Sequence, residues 1–322
     1  MQDREALMAK VAQPAWDDLL SQERVLLVND LLHVFSLADA SRWNRYAYKR
    51  RKTLLWPEGT YDAALIRLHP NKTAMEQIVH AVASVLVEGG AMWIVGGNDE
   101  GIKSWPKRLL PYFERIETVD IRKRCRLVVG YRNSNSDGLK DSVSAWWQTQ
   151  PLFDRDWYSL PGCFAKGALD RGTELLLSVL DKQKAKRRVL DFACGTGVLS
   201  FHAQRCFPDV PIDALDFDAY SVEATRKNVP GVQTFISDGW HALPNDRRYD
   251  LILSNPPLHF GKKTDHTTFR ALLDNAKNRL FRKGALIFVV QRQLPVPKIL
   301  QGQHSVEMIA ENSHYWVWKV VS

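Results

Sequence analysis

The residues best suited to chemistry in this sequence are Asn255, Pro256 and Pro257, which directly follow the apolar run DLILS at 250–254. Two consecutive prolines remove two backbone N–H donors and stiffen the turn. The side-chain oxygen of Asn255 and the carbonyl oxygen of Pro256 are left as acceptors with few local partners. Two fixed acceptors can orient an exocyclic amino group so that its lone pair faces an electrophilic carbon. The alternative is a structural proline turn in which Asn255 caps the next helix.

The segment VLDFACGTGVLS at 189–200 has the order strand, glycine turn, helix. Gly195 and Gly197 permit a positive φ and a close approach to a ligand, and the helix N-terminus favours a carboxylate or a phosphate. A dinucleotide-binding loop would carry a third glycine, which is absent here. Asp191 at the strand end suits an ammonium group and repels a pyrophosphate. The loop, including Ala193, therefore fits the aminocarboxypropyl end of S-adenosylmethionine better than NAD.

Two further carboxylates are expected at the ends of the next two strands. Asp216 closes the strand that follows Asp191 in the chain, where a carboxylate would face a ribose diol in the crevice of an open α/β sheet. Asp238, in FISDGWHAL at 235–243, closes a third strand and could accept a hydrogen bond from an adenine amino group. Each of these residues could instead cap a helix. Three carboxylates at three successive strand ends favour a shared ligand crevice.

Strand-like apolar runs alternate with helical patterns along the chain, and these elements must position the residues above. The predicted strands lie at 24–30, 53–59, 62–68, 91–97, 125–132, 187–193, 212–217, 250–255 and 285–291. Residues 75–90 repeat apolar side chains at helical spacing and end at a glycine pair, which predicts a helix. The alternation predicts an α/β protein with two parallel sheets and crossover helices.

A weak internal repeat indicates that these elements form two copies of one domain. The sequence around Asp62 resembles the sequence around Asp250, and Gly90 corresponds to Gly284 at a similar offset. We interpret the repeat as a duplication, although any α/β strand preceded by a helix and a glycine gives a similar pattern. The turn after the first strand, VNDLLHVF at 28–35, has no glycine, so the first copy is expected to be degenerate.

Length and composition agree with two domains. The polar stretch at 130–142 is the predicted linker between a first domain, 1–143, and a second domain, 144–322. A hydrophobic content of 45% over 322 residues excludes gross disorder. The sequence has no apolar run of about 18 residues, no signal-like start and no CxxC pair among its four cysteines. These features predict a cytoplasmic protein with no membrane span, disulfide framework or structural zinc site.

The formal net charge of +8 is shared by residues 1–150, with 21 basic and 18 acidic residues, and 151–322, with 23 and 18. A mild excess in both parts is compatible with a polyanionic partner, whose binding would weaken with salt. The basic residues form clusters at Arg42, Arg45, Lys49, Arg50, Arg51 and Lys52; at Arg122, Lys123, Arg124 and Arg126; and at Lys182, Lys184, Lys186, Arg187 and Arg188. The alternative interpretation is that each cluster is a solvated helix end or loop.

Two segments carry a resemblance to known proteins. The order D-x-A-C-G-T-G at 191–197, a strand-end Asp and N-P-P-L-H at 255–259 is similar to class I S-adenosylmethionine-dependent methyltransferases that modify amino nitrogens. The segment at 160–180 resembles the one before the cofactor loop in bacterial small-subunit ribosomal RNA guanine-N2 methyltransferases. The matching residues are Leu160, Pro161, Gly162, Phe164, Leu169, Asp170, Gly172 and Leu175–Leu177. The resemblance is strong over 158–291 and weaker over 20–130.

The resemblance implies an α/β fold of two tandem Rossmann-like methyltransferase domains, in which a degenerate N-terminal copy binds substrate and stabilises its partner. The second domain would transfer a methyl group from S-adenosyl-L-methionine to the N2 amino group of a guanine in 16S ribosomal RNA. The catalytic residues would be Asn255, Pro256 and Pro257, and the cofactor-binding residues Asp170, Asp191, Ala193, Gly195, Gly197, Asp216 and Asp238. The implied partner is ribosomal RNA within the small subunit; no membrane and no metal are expected, and the protein is expected to act as a monomer.

The sequence departs from the family at Leu258, where a phenylalanine is usual and its ring can stack on a flipped base. His259 matches the family, and we expect Phe260 or Phe164 to supply the stacking. Leu258, His259, Phe260 and Phe164 are therefore the predicted substrate-binding residues. The alternative is a weakened or altered activity.

Two other functions stay open. The first is the same chemistry on large-subunit ribosomal RNA guanine, adenine N6 or a glutamine amide, because the Asn-Pro-Pro motif serves all of them. The second is a non-catalytic RNA-binding or RNA-folding module with a vestigial cofactor site. The segment at 160–180 and the duplication favour guanine, and the intact loop together with Asn255 favours an enzyme.

Overall fold

The fold is known from a computed structural model, which describes residues 2–48, 51, 53–256, 259–260, 263–264, 267–300 and 305–322. The chain divides into two units. Unit 1 contains Met1–Tyr46 and Lys52–Trp147, and unit 2 contains Ala47–Arg51 and Gln148–Ser322. Each unit has a sheet and a hydrophobic core of its own.

Unit 1 is built on six strands. The strands are β1 (Val25–Val28), β2 (Ser41–Trp43), β3 (Tyr61–Arg67), β4 (Leu86–Gly97), β5 (Phe113–Arg122) and β6 (Cys125–Arg132), and the helices are α1 (Gln2–Ala12), α2 (Trp16–Leu20), α3 (Lys72–Val85) and α4 (Trp105–Leu109). The sheet order is β2-β1-β3-β4-β6-β5. The first four strands in this order are parallel, and β6 and β5 add an antiparallel edge.

Unit 2 is built on a seven-stranded sheet and two short hairpins. The strands are β7 (Gln148–Leu152), β8 (Arg155–Ser159), β9 (Val189–Phe192), β10 (Ile212–Asp216), β11 (Gln233–Ile236), β12 (Tyr249–Ser254), β13 (His259–Phe260), β14 (Lys263–Thr264), β15 (Leu280–Gln291), β16 (Val306–Glu311) and β17 (Tyr315–Val321). The helices are α5 (Arg171–Leu180), α6 (Val198–Cys206), α7 (Ala219–Asn228), α8 (Thr267–Arg279) and α9 (Val296–Ile299). The sheet order is β11-β10-β9-β12-β15-β17-β16.

The two sheets repeat one strand plan, which accounts for the internal repeat in the sequence. In order, β1, β3, β4, β6 and β5 take the places of β9, β12, β15, β17 and β16, including the antiparallel edge. One ion pair also recurs in the two units. Arg24 Nη2 lies 2.6 Å from Asp62 Oδ1, and Arg187 Nη2 lies 2.6 Å from Asp250 Oδ1. In both units the arginine precedes the first of these strands and the aspartate is the second residue of the next. The predicted tandem α/β fold is confirmed.

Glycine is required at both Gly90 and Gly284 of the repeat for the same steric reason. A Cβ on Gly90 would lie 2.9 Å from the carbonyl oxygen of Asp62, and a Cβ on Gly284 would lie 2.9 Å from that of Tyr249. Real Cβ atoms do not approach oxygen so closely, so both copies need glycine where the last parallel strand passes its neighbour.

Both faces of each sheet are covered, and the strands are therefore apolar on both sides. In β9, Val189 packs in one core cluster while Leu190 and Phe192 pack in the other. In an open α/β sheet, the crevice that binds a ligand lies outside the carboxyl ends of the parallel strands, and polar side chains at these ends can line it. Among the helices in the described ranges, none has both the length and the hydropathy needed to cross a bilayer.

The predicted strand at 53–59 is wrong. The segment forms no strand, because its apolar run is cut short by Pro57, which has no N–H to donate. Leu54 and Trp56 instead pack on the core from a loop, and the carbonyl of Leu54 accepts a hydrogen bond from Trp43 Nε1 at 3.0 Å.

The predicted helix at 75–90 is displaced, since α3 ends at Val85 and the glycine pair belongs to β4. The linker prediction also overlaps a strand, because its first three residues complete β6. The antiparallel strands β5, β7, β8 and β16 were not predicted, because they are largely exposed and have no apolar run.

Candidate functional site

Asn255 directly follows β12 and is held in one orientation by its neighbours. Its Nδ2 donates to Asp170 Oδ2 at 3.0 Å and to Thr173 Oγ1 at 2.9 Å. An ionised carboxylate can only accept, so the amide nitrogen and not the oxygen must face Asp170. Asn255 Oδ1 accepts no hydrogen bond from any described residue. The amide therefore presents a free acceptor, as the sequence predicts.

Asp170 is the N-cap of α5, where its Oδ2 accepts from the backbone N–H groups of Gly172 and Thr173 at 2.9 and 3.1 Å. A Cβ on Gly172 would come within 3.0 Å of that oxygen and 3.1 Å of the ring of Tyr315, so the close approach requires glycine. The hydrogen bonds of Asp170 thus tie it to Asn255. Its assignment to the cofactor stays a prediction.

The rest of the Asn-Pro-Pro motif is only partly described. Pro256 is buried, whereas Pro257 and Leu258 lie outside the described residues. The backbones of His259 and Phe260 form β13, paired with β14, and their side chains also lie outside the described part. The predicted roles of all five residues, including Pro256, stay predictions.

The glycine loop joins β9 to α6, and Gly195 has the positive φ that the sequence permits, whereas the positive φ of Ala193 was not predicted. Ala193, Gly195 and Gly197 have φ values of 63°, 55° and 90°. Gly197 is the N-cap of α6, and a Cβ there would lie 3.0 Å from methyl groups of both Thr225 and Val229. Glycine is therefore required at 197 by conformation and by packing.

Asp191 is fully buried at the end of β9, and its two oxygens differ. Oδ2 accepts from the backbone N–H of Ser200 at 2.9 Å and from its hydroxyl at 2.6 Å. Oδ1 is buried and has no hydrogen-bond partner among the described residues. Burial raises the pKa of this carboxyl to about 6, against the effect of the Ser200 hydrogen bonds. A buried acceptor without a partner is costly unless a ligand donor completes it.

Asp216 ends β10 and holds two loops together. Its Oδ2 accepts from Gly195 N and its Oδ1 from Asp218 N, both at 2.9 Å. Burial, together with the charge of Asp218, raises the pKa of Asp216 to about 7. Asp238 is half-buried just after β11. Asp191, Asp216, Asp238 and Asn255 thus stand at the carboxyl ends of four neighbouring strands, as predicted.

The sequence did not predict the residues of β8 and α7 that hold the glycine loop by hydrogen bonds to Thr196. Trp157 in β8 is fully buried and its Nε1 donates to Thr196 Oγ1 at 3.0 Å. Asn228 donates to the carbonyls of Thr196 at 2.9 Å and of Tyr158 at 2.8 Å. The sequence signal was weak, because the segment around Trp157 has no regular periodicity.

Phe164 lies beside this loop, with its Cβ 3.7 Å from the position that a Cβ on Gly195 would take. Its side chain is 56% exposed, whereas every other phenylalanine whose side chain is described is buried or half-buried. The following residues Ala165 and Lys166 have positive φ values of 51° and 52°. An exposed ring beside a ligand loop is suited to stacking.

Another polar cluster lies at the ends of α5 and α6. Ligand atoms of Asp181, His202 and Cys206 are within 4.8 Å of one another. Cys206 Sγ donates to Asp181 Oδ1 at 2.9 Å, and His202 Nε2 lies 3.2 Å from the same oxygen. Burial and the carboxylate raise the pKa of Cys206 to about 12. Hydrogen bonding accounts for this arrangement, and the expected absence of a metal stays a prediction.

Unit 1 carries different residues at the corresponding strand ends. Matching the strand registers places Leu27 where unit 2 has Asp191, and Arg67 where it has Asn255. Arg67 binds Glu5 at 3.0 Å and Glu100 at 2.8 Å. Residues 29–40 between β1 and β2 form no helix, whereas unit 2 has α6 at that point. Unit 1 therefore has no carboxylate and no amide at these two register positions. Its own buried carboxylate, Asp30, lies beyond the end of β1, with Oδ2 3.6 Å from Arg42 Nε.

Each of the two units matches a family model of known proteins. The family model "Methyltransferase small domain" matches residues 155–319, and the model "Methyltransferase small domain N-terminal" matches residues 4–150. The structure aligns, with a TM-score of 0.83 and 20% identity, to a T. thermophilus 16S rRNA N2 guanine methyltransferase solved with AdoMet and guanosine. That alignment covers 99% of this chain and 91% of the other.

Two curated relatives share the name ribosomal RNA small subunit methyltransferase C. The protein from Haemophilus influenzae (strain PittGG) is 33% identical, over 82% of this chain and 80% of its own length. The protein from Pseudoalteromonas atlantica (strain T6c) is 29% identical, over 94% and 95%. The predicted resemblance is confirmed, and the chain belongs to the ribosomal RNA small subunit methyltransferase C family, with the two-domain class I methyltransferase fold.

Proposed function

We propose that this protein uses S-adenosyl-L-methionine to methylate the N2 amino group of a guanine in 16S ribosomal RNA, with the chemistry in unit 2. The observation that carries the proposal is the orientation of Asn255. Its N–H groups are occupied by Asp170 and Thr173, so its Oδ1 is available as an acceptor at the strand end. An amino group is the kind of substrate that such an acceptor orients.

The residues at the strand ends fit the cofactor. The unpaired Oδ1 of Asp191 suits the ammonium of the methionine end, and Ala193, Gly195 and Gly197 keep the loop open beside it. We assign Asp216 to the ribose diol and Asp238 to the adenine amino group, since they stand at the carboxyl ends of β10 and β11, which lie on one side of β9. Asp170 adds a further carboxylate through its contact with Asn255. The bound cofactor supplies an electrophilic methyl group.

The chain's own residues position the amine. Asn255 Oδ1 and the carbonyl of Pro256 accept its two hydrogens and aim the nitrogen lone pair at the methyl group. The nitrogen becomes cationic as it is methylated, and its proton then leaves, so no strong general base is required. Pro257 stiffens the turn, and Leu258 and His259 flank the base. Phe260 or Phe164 stacks on it.

The relatives support the choice of target. The T. thermophilus protein is a 16S rRNA methyltransferase of guanine 1207 at N2, and guanine N2 in 16S rRNA is the finer assignment that we propose for this chain. Unit 1 (with 1–143 as its proposed extent) holds the RNA and stabilises unit 2, which corresponds to 144–322. We expect a cytoplasmic monomer that acts on the small subunit without a metal.

The test compares wild type with Asn255→Ala in two assays. Tritiated methyl transfer is measured onto naked rRNA, small subunits and large subunits, with nucleoside analysis of the product. Calorimetry measures S-adenosylmethionine binding. The variant is expected to lose methyl transfer and keep cofactor affinity. Asn245→Ala changes an exposed asparagine before β12, at the other end of that strand from the motif, and should behave as wild type.

Each other outcome contradicts part of the proposal. Retained transfer by Asn255→Ala would remove the assigned role of Asn255. A methylated adenine or large-subunit guanine would replace the target. Absence of cofactor binding by the wild type would favour the non-catalytic RNA-binding module.

A further inference from the structure

The strands β5 and β6 of unit 1 are joined by two basic residues in the left-handed region of backbone conformation. Arg122 pairs with Cys125 across the hairpin, so Lys123 and Arg124 alone form the turn. Their φ values are 46° and 64°. A two-residue turn with positive φ at both positions favours Asn and Gly, because longer side chains are strained there. We call Lys123 and Arg124 the basic turn.

The charges of the basic turn are available to a partner. Both side chains are exposed, and neither makes a hydrogen bond or ion pair within the described part of the chain. Arg122 pairs with Asp120 at 2.7 Å but keeps 55% of its side chain exposed. The backbone N–H of Asn98 donates a hydrogen bond to the carbonyl oxygen of Arg124 in the turn. The carboxylate of the next residue, Asp99, is already paired with Arg4 of α1.

The duplicated fold provides an internal comparison for this turn. Cys125 lies beside Gly97 at the carboxyl end of β4, so the basic turn is on the carboxyl edge of the parallel strands. In unit 2, Tyr315 lies beside Gln291 in the same way, and the turn there is Asn312–His314. The strand plan therefore does not require lysine or arginine at this place, and unit 1 alone carries them.

We propose that the basic turn is a binding site for the phosphodiester backbone of the substrate RNA, an inference that rests on the proposed function. Ammonium and guanidinium groups bind phosphate oxygens directly, and the guanidinium does so in a bidentate manner. Strained backbone positions are found in excess at ligand-binding sites. An unpaired, strained pair of cations at a hairpin tip fits phosphate contact better than it fits folding.

The test is the double variant Lys123→Asn/Arg124→Gly, which gives the turn its preferred residues and removes both charges. We expect the melting temperature to rise by about 2 °C or more. Affinity for a 16S rRNA transcript at low salt should fall by about tenfold or more, with the slope of log affinity against log salt smaller by about two. Calorimetry should give unchanged S-adenosylmethionine affinity. A more stable variant with wild-type RNA affinity would overturn the proposal.

A matched control is Lys283→Gly. Lys283 is exposed, has φ 65° and lies near the amino end of β15, and unit 1 has Gly89 at the corresponding position. This change also removes one charge and one strained residue, but it lies in unit 2, near the amino ends of the parallel strands of that unit's sheet. RNA affinity should stay at the wild-type value, and an equal loss would show a general charge effect and overturn the assignment.

Methyl transfer by the wild type separates this inference from the proposed function. If the wild type transfers no methyl group to any rRNA, the proposed function fails. The binding difference between wild type and the double variant still decides whether the basic turn contacts RNA.

Discussion

The amide of Asn255 donates to the Asp170 carboxylate at 3.0 Å, and the same carboxylate oxygen caps the first turn of α5. The start of a helix and the orientation of the proposed catalytic amide are therefore set by one side chain. Thr173 completes the arrangement, because its hydroxyl accepts the second N–H of the amide at 2.9 Å. This makes Thr173 a positioning residue that can be altered without removing the helix cap.

Replacing Thr173 should impair catalysis while leaving cofactor binding intact. Thr173→Val keeps the shape of the side chain and removes the acceptor, so the amide of Asn255 is free to rotate. We expect kcat to fall by about tenfold, the loss of about one net hydrogen bond, with an unchanged S-adenosylmethionine Kd. Thr173→Ser keeps the hydroxyl and should restore kcat. A wild-type kcat in Thr173→Val would show that Asp170 alone suffices.

The raised pKa of Asp216 should make nucleoside binding depend on pH. The carboxyl titrates near pH 7 in the folded protein, against about 4 in an unfolded chain. Ribose hydroxyls donate best to the ionised form, so affinity should increase as pH rises through 7. Methylthioadenosine is a suitable probe because it lacks the amino-acid end that titrates by itself. Its affinity should weaken by about tenfold from pH 8 to pH 6.

The raised pKa of Asp216 has the opposite effect on the stability of the ligand-free protein, which should decrease as the pH rises. A carboxyl whose pKa is raised on folding binds more protons in the folded state, so its stabilising effect is present below about pH 4 and is lost as pH rises through 7. Asp216→Asn should therefore remove both pH dependences. Methylthioadenosine affinity should be weak and independent of pH, and the ligand-free protein should no longer lose stability from this group as the pH rises. Wild-type pH dependence in the variant would assign the titration to another group.

The sequence predicted the positions of the candidate site residues in the fold where those positions depend on a local pattern. A carboxylate followed by a glycine turn and a helix start lies within a few consecutive residues, as with Asp191 and Gly197, so one segment contains the signal. The prediction failed where the contact joins distant segments. Trp157 and Thr196 are 39 residues apart and no periodicity links them. The partner of a buried indole can be found only once the fold has brought both together.

The strand prediction failed for a related reason. Apolar runs identify strands that are buried on both faces, as with β3 and β12, whereas β5 and β16 are edge strands with exposed side chains and lack the run. Residues 53–59 have the run, yet Pro57 stops the pairing and the apolar side chains are used by a loop.

Gly197 should be the least replaceable glycine of the loop. Gly197→Ala combines a positive φ of 90° with a clash at 3.0 Å against Thr225 and Val229, and should cost about 3 kcal/mol of unfolding free energy. Gly231→Ala is the matched control, because it has φ 88° and an ordinary 3.7 Å contact, and should cost about 1 kcal/mol. Urea unfolding measures both. Similar losses would show that conformation alone requires glycine at 197.

Arg67 should be needed for the stability of unit 1. It binds the carboxylates of Glu5 and Glu100 with a side chain that is 9% exposed. Arg67→Leu leaves both carboxylates without this partner, and should lower the free energy of unfolding by about 3 kcal/mol at pH 7. Cofactor affinity is expected to stay at the wild-type value, because the cofactor residues belong to unit 2. Unchanged stability would show that the ion pairs only offset their own desolvation.

The pH dependence of that loss identifies its source. Burial would raise the pKa of Glu100, but Arg67, the backbone N–H of Gly97 and Arg4 together outweigh it and lower the pKa to about 2, with Arg67 contributing most. A depressed carboxyl pKa stabilises the fold above the unfolded value of about 4.5 and ceases to do so as pH falls towards 2. The difference in stability between wild type and Arg67→Leu should therefore narrow from pH 6 to pH 3. A constant difference would attribute the loss to packing of the arginine side chain and not to its charge.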